Sequence, residues 1–367
     1  MNKSEVYCPI QRKIEAQIKN TKKQYLRLYI LMKTAVKNEV KAAECIKYVF
    51  CEYIPKSTLL TIPDCKINRL RVFISEKEWT ILENMTKLSV NLSHASLGIR
   101  SGQLLSKFMP RVSKLTYVNL NLSKNHLQDE GVAYISLGLP MLCHLRTLIL
   151  NLSENGITGK GFNLVGRQIT KLQTLDTIQL NFNKNNINDE IELNIFGIEN
   201  HAQKFSNLKK LFLELQENAI RNQGLVSLAK GISDAENLEF LQGDLRYNEI
   251  GDEGVAALGK SLGKLKKLKK VELDFFRNQI NSEGLTMFSQ SLEDQKCQLE
   301  TLSLDCCKNQ IELQGFQNLA GSLGRIRTLN LITLDLTFNS ESLSAKTDRD
   351  LIKMIQSANA QTVNIYV

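Results

Sequence analysis

What most limits how this chain can fold is a segment that keeps coming back. LTYVNLNLSKNHLQDEG at 115–131 returns as LRTLILNLSENGITGKG, LDTIQLNFNKNNINDEI, LKKLFLELQENAIRNQG, LEFLQGDLRYNEIGDEG, LKKVELDFFRNQINSEG and LETLSLDCCKNQIELQG. From Asn125 through Asn155, Asn185, Asn218, Asn248, Asn278 and Asn309 to Asn339 the steps are 30, 30, 33, 30, 30, 31 and 30 residues. Upstream, Ala95 takes the anchor place in LSVNLSHASL and Cys65 takes it in LLTIPDCKI, which makes ten units. A fixed period of this length predicts one supersecondary unit stacked many times, each copy burying its apolar side on the next.

Each unit has the same internal logic. Apolar residues stand ten, seven, five and three places before the Asn. Their period-two run turns one side of a short strand inward. The Asn amide has both donors and an acceptor for backbone groups that a turn inside a core would otherwise orphan. Leu127, Ile157, Ile187, Ile220, Ile250, Ile280 and Ile311, two places on, close the core. A glycine follows six after the Asn in most units (Gly131, Gly161, Gly224, Gly254, Gly284, Gly315) and opens a segment apolar at helical spacing, as at Val255, Leu258 and Leu262. Strand and helix alternating in this way predict an α/β solenoid with a curved parallel sheet inside and helices outside.

The motif LxxLxLxLxxNxI resembles leucine-rich repeats of the ribonuclease-inhibitor-like class over roughly residues 55–367. It carries one more alternating pair than the usual LxxLxLxxNxL, and so looks like the 30-residue repeats common in ciliate proteins. The resemblance implies a horseshoe, preceded by N-terminal capping helices. It further implies a scaffold or adaptor without enzymatic activity, holding a protein on its concave face, and leaves room for a subunit of a large assembly such as the ciliary axoneme. Ran GTPase-activating proteins are similar in architecture, so regulation of a small GTPase is the alternative.

Three regions are expected: 1–54, a basic helical cap; 55–342, the repeats; and 343–367, a helix and an edge strand. Residues 1–50 hold eleven Lys/Arg against four Asp/Glu, most of the net +9. Ile10, Ile14 and Ile18 share one helical face there. The segment either shields the first unit or docks on nucleic acid or another acidic surface. Val363, Ile365 and Val367 repeat Ile332, Leu334 and Leu336 after 31 residues, predicting an eleventh strand at 362–367 whose edge offers an assembly contact. The unit of Asn185 carries Ile191 in place of its glycine and is longer, so 189–207 is read as a surface loop, with a binding loop as the alternative.

Several chemistries are excluded or weakened. With 43% apolar and 23% charged residues the chain can bury a large core. No stretch approaches the ~18 consecutive apolar residues of a membrane span, and the first residues lack a secretory signal, so an intracellular, cytoplasmic location is expected. The eight cysteines (Cys8, Cys45, Cys51, Cys65, Cys143, Cys297, Cys306, Cys307) and four histidines show no metal-ligand spacing. Residues 254–261 satisfy GxxxxGK[ST] but fall where the repeat places its helix, so no phosphate loop is expected. The sequons at Asn91, Asn121 and Asn151 fall in inner strands, and Cys306 points inward with Cys307 on the open face. No catalytic set can be assembled and no cofactor is implied.

The binding surface is expected on the concave face. The column four before each Asn reads Thr61, Asn91, Asn121, Asn151, Asn181, Glu214, Asp244, Asp274, Asp305, Asp335, turning from amide to carboxylate at the irregular unit. Strands about 4.8 Å apart make the acids a ladder of like charge that a basic partner relieves. Phe212, Tyr247, Phe276 and Phe338, with Arg246 and Arg277, flank it, a composition that protein interfaces favour. The competing reading is that such polar residues only solvate the sheet.

Overall fold

In the computed structural model, which describes residues 29–31, 47–49, 84–94, 97–193, 206–294, 298–339, 345–356 and 362–366, the alternating residues of each repeat form a five-residue strand. Ten of these strands make one sheet: β3 (Lys87–Asn91), β4 (Tyr117–Asn121), β5 (Thr147–Asn151), β6 (Thr177–Asn181), β7 (Lys210–Glu214), β8 (Phe240–Asp244), β9 (Lys270–Asp274), β10 (Thr301–Asp305), β11 (Leu331–Asp335) and β12 (Thr362–Tyr366). They are parallel and follow chain order, with no register slip from unit to unit. Return helices follow β3 to β5 as α1 (Gly98–Phe108), α2 (Gln128–Gly138) and α3 (Gly159–Ile169). Those after β7 to β11 are α4 (Arg221–Ser233), α5 (Asp252–Gly263), α6 (Ser282–Asp294), α7 (Leu313–Arg325) and α8 (Ala345–Gln356). The strand-helix alternation and the open parallel sheet are those of an α/β leucine-rich-repeat solenoid.

The core is a continuous slab between sheet and helices. Val118, Leu120 and Leu122, and their equivalents through Ile332, Leu334 and Leu336, are buried against helix residues such as Val132, Val165, Leu228 and Leu258. At β8 the inward leucine is replaced by Gly243. Beside it lies a cavity of about 20 Å³ among Leu213, Leu228, Leu258 and Leu273.

The asparagines hold the turns as their chemistry predicts. The Asn155 Oδ1 accepts from the backbone N–H of Asn125 (3.0 Å) and of Leu127 (3.2 Å) in the preceding unit. Its Nδ2 donates to the carbonyls of Leu122, Leu152 and Ser153, each at 3.0 Å. The same pattern recurs at Asn185, Asn278 and Asn339, and at Asn309 with the N–H of Ile280 alone, so each of these anchors serves the turn before its own. Cys65 and Ala95, the two substitutes for this anchor, lie outside the described residues.

A second relay joins the helices. The Asp129 carboxylate accepts from the N–H groups of Thr158 (2.8 Å) and Gly161 (3.1 Å) at the start of α3. Asn222 does the same for Gly251 (2.8 Å) and Gly254 (3.1 Å) at α5. Asp252 accepts from Asn281 (2.7 Å), and the Ser282 hydroxyl accepts from Glu312 (3.0 Å). In these four steps a helix caps its successor, supplying acceptors for N–H groups that have no partner inside the helix. The closeness this requires explains the repeat glycine: a Cβ on Gly284 would lie 2.5 Å from the Asp252 Cα.

One expectation changes, and two further stretches can be placed. Within 1–54, read as helical, Tyr29–Leu31 and Lys47–Val49 form β1 and β2, an antiparallel pair. Tyr, Ile and Val at these places favour an extended chain over a helix. The rest of 1–54 lies outside the described residues. In the stretch 189–207, residues 189–193 carry no helix, and Leu193 is buried beside Gly159 and Gly224; residues 194–205 are not described. Residues 254–261 lie within α5, with Gly254, Gly259 and Ser261 buried, so their amides are spent on the helix and, at Gly254, on Asn222.

Candidate functional site

The column four before each anchor is one straight row across the sheet. Asn91, Asn121, Asn151, Asn181, Glu214, Asp244, Asp274, Asp305 and Asp335 pair rung to rung, and Tyr366 follows on β12. The local reason for Asn or Asp here is a turn. The side-chain oxygens accept the backbone N–H two residues on, from Ser93 (3.0 Å), Ser123 (3.1 Å), Ser153 (3.0 Å) and Asn183 (3.0 Å). In the acidic half the donors are Arg246 (3.3 Å), Phe276 (2.9 Å), Cys307 (2.8 Å) and Thr337 (3.1 Å). Ending the strand this way requires an acceptor and is indifferent to charge. The carboxylates therefore exceed what the turn needs.

Glu214 stands at the change from amide to acid. Its longer side chain reaches the neighbouring strand, accepting from Gln179 (3.3 Å), Asn181 and Asn183 (3.4 Å). Burial raises its pKa, and the charge of Asp244 adds to this.

Arg246 is committed within the molecule. It donates to Asp244 through Nε (2.9 Å) and a terminal nitrogen (2.7 Å), pairs with Asp274 (3.2 Å), and donates to the side-chain Oε1 of Gln216 (3.1 Å). Its own pKa is raised, first by the hydrogen bonds to Asp244. The ladder thus relieves part of its repulsion itself, which no residue-type pattern foretells, because the side chain's direction decides it. Beyond Arg246, Asp274 is pushed up to about 6 by burial, with Asp305 adding and the Phe276 N–H and Arg246 opposing. Asp305 is raised as well, chiefly by burial and then by Asp335.

Aromatic rings stand on both sides of the acids. Toward the strand starts, Phe212 and Phe240 meet edge-on at 5.0 Å, with the Lys270 ammonium 5.2 Å from the Phe240 ring. Phe240 and Lys270 were not among the sequence candidates, although both stand in the first outward place of their strands. Toward the loops, the Tyr247 and Phe276 ring centroids are 5.4 Å apart. Arg277 lies over Tyr247 at 5.4 Å, and Lys308 lies 5.3 Å from Phe276 and 5.4 Å from Phe338. Phe338 is 76% exposed, an unusual setting for a ring of that size.

Tyr247, Arg277, Lys308 and Phe338 belong to a further row, one place before each anchor, which runs back through Glu217, Lys184, Glu154 and Lys124 to His94. All have φ between 53° and 58°. Left-handed backbone without glycine gives no sequence signal, so only the structure reveals this row. In its first half the charges pair along the row, Lys124 with Glu154 (3.1 Å) and Lys184 with Glu217 (3.3 Å). In the second half the rings of Tyr247 and Phe338 replace the acids.

Asp305, Cys307 and Asp335 hold ligand-type atoms within 4.8 Å of one another. Cys307, expected on the open face, is 4% exposed and accepts from the Thr337 hydroxyl at 3.1 Å. Its thiol pKa is raised by burial, which opposes the thiolate a metal requires. Cys306 is fully buried in the core and its thiol is raised well above the usual range by desolvation. No described helix is long and apolar enough to cross a membrane.

Comparison with known proteins agrees with the architecture. The family described as Leucine Rich repeat matches residues 114–136, 244–259 and 271–289. No curated protein matches. Among solved structures, the TLR13–ssRNA13 complex aligns at 18% identity and TM-score 0.41, over 82% of this chain and 40% of that one. This chain therefore spans less than half of that protein's length. The yeast Rad7 and Elc1 complex aligns at 15% identity and TM-score 0.44, over 83% of this chain and 74% of that one. A Bacteroides fragilis protein aligns at 13% identity and TM-score 0.35, over 72% and 80%. Likeness at this level assigns neither family nor role. The matched repeats, and ten parallel strands in one sheet with asparagine-bonded turns, give this chain the leucine-rich-repeat fold.

Proposed function

We propose that this protein is a non-enzymatic scaffold that holds a protein partner on the second half of its concave face. One observation carries this: from Asp244 to Asp335 carboxylates make the strand-ending turn that Asn91 to Asn181 make with neutral amides, and Glu214 adds a further acid to the same row. Desolvated like charges disfavour the isolated molecule and favour complexes that neutralise them. A partner with a basic patch supplies the neutralising charge, and Phe212, Tyr247, Phe276 and Phe338 offer it apolar contact. The ribonuclease-inhibitor-like subclass, a role for residues 1–54 in capping the array, and an intracellular setting belong to the same proposal.

The turn chemistry suggests a clean test. Replacing Asp274, Asp305 and Asp335 together by Asn keeps every strand-ending acceptor and removes three charges. Partners cross-linked to the wild-type chain in native extract should be lost from this variant, while its circular dichroism spectrum stays the same. Recovery of the same partners by both proteins overturns the proposal.

A further inference from the structure

Two parallel tracks change character at neighbouring units. One is the strand-end row, neutral through Asn181 and acidic from Glu214. The other is the left-handed row, in which Lys124–Glu154 and Lys184–Glu217 cancel one another, whereas Arg277 and Lys308 lie over rings and no described carboxylate is within ion-pair range of either. Between the tracks runs the row Arg246, Phe276, Cys307, Thr337, with Phe276 touching both Tyr247 and Lys308. The second half of the face therefore shows a negative stripe and a positive stripe side by side along the solenoid axis, with the Phe276 ring between them and the rings of Tyr247 and Phe338 set among the cations.

We infer that the occupant of this surface is an amphipathic α-helix of the partner, lying along the solenoid axis with a basic stripe over Asp274, Asp305 and Asp335 and an acidic stripe over Arg277 and Lys308. This rests on the concave-face reading and specifies its partner. Spacing selects the helix. Strands about 4.8 Å apart place Asp244 and Asp335, three rungs from each other, about 14 Å apart. Three turns of helix advance about 16 Å, so one residue per turn nearly keeps step with the rungs. Residues on one side of an extended strand recur about every 6.7 Å and run to about 20 Å over three repeats. A nucleic-acid strand meets the acid stripe with like charge and is disfavoured. Within the molecule, the Arg246 guanidinium spanning Asp244 and Asp274 shows that a cation fits between neighbouring rungs.

The probe is a labelled synthetic peptide of about four helical turns, alanine-based, with arginines on one stripe, leucines along the middle and glutamates on the other. One control has the same composition scrambled; another has a central proline that breaks the helix. Fluorescence anisotropy with the full chain should show the patterned peptide binding at least about ten-fold tighter than either control, with stronger binding at low salt. Arg277→Glu with Lys308→Glu should abolish that preference, and a peptide with lysines in place of its glutamates should restore it. Equal binding of patterned and scrambled peptides, or of patterned and proline-broken peptides, overturns the inference. If that happens while the Asp-to-Asn triple variant still loses its cross-linked partners, the concave-face proposal stands and only the helix falls.

Discussion

At the scale of single residues, the anchoring asparagine is where sequence and structure agree most closely. Its recurrence announces a buried turn, and the amide geometry bears this out: Asn155 makes five hydrogen bonds to backbone groups. Asn155→Ala orphans two donors and removes donors from three carbonyls, and should lower stability by roughly 3–5 kcal/mol in urea unfolding. A loss under 1 kcal/mol would mean that water takes over the bonds. Asp274 provides the pH prediction. Its folded pKa of about 6 lies above the ordinary carboxylate value, so the native state binds more protons in the window between the two, and this group's contribution to stability rises as pH falls through it. Asp274→Asn keeps the acceptor for Phe276 and gives up the pair with Arg246. It should raise the melting temperature at pH 7–8 relative to wild type, with the difference shrinking toward pH 4; an unchanging difference would assign the effect to packing. The acidic column was legible because position alone defines it. The commitment of Arg246 was not, since one residue type can point outward to a partner or sideways to a neighbour.

At the scale of elements, the repeat glycine and Gly243 make opposite predictions. Gly284→Ala sets a Cβ against the Asp252 backbone, which cannot swing aside, and should cost roughly 1–3 kcal/mol by forcing neighbouring units apart. Gly243→Ala meets the Leu273 Cδ2 at 3.0 Å and the Leu245 Cδ1 at an ordinary 3.9 Å, and the Leu273 side chain borders a cavity into which it can yield. It should stabilise β8 by about 0.5–1 kcal/mol through the lower entropy of the unfolded chain, read from the same denaturation midpoints. A loss at Gly243 would show that Leu273 is locked. Strand and helix periods were legible element by element, because two periodicities alternate cleanly. The capping relay from Asp129, Asn222, Asp252 and Ser282 was hidden. Each residue looks like an ordinary helix start, and its partner is about 30 residues away.

At the scale of the whole molecule, a sheet with constant register turns a one-dimensional sequence column into a straight physical row, so charge drawn along the repeats becomes charge drawn along the solenoid. Nearest-neighbour coupling makes stability a sum over units and their interfaces. Weakening the middle with Leu213→Ala, beside the existing cavity, should broaden the unfolding transition or split it in two; a single sharp transition would indicate coupling beyond adjacent units. The asparagine bonds also have a direction. Each anchor fills the turn of the unit before it, so a unit remains incomplete until its successor has been made. During synthesis, which runs from the N-terminus, the growing solenoid must always trail the ribosome by one repeat, and the most recently completed repeat is the point at which a stalled chain is open to chaperones.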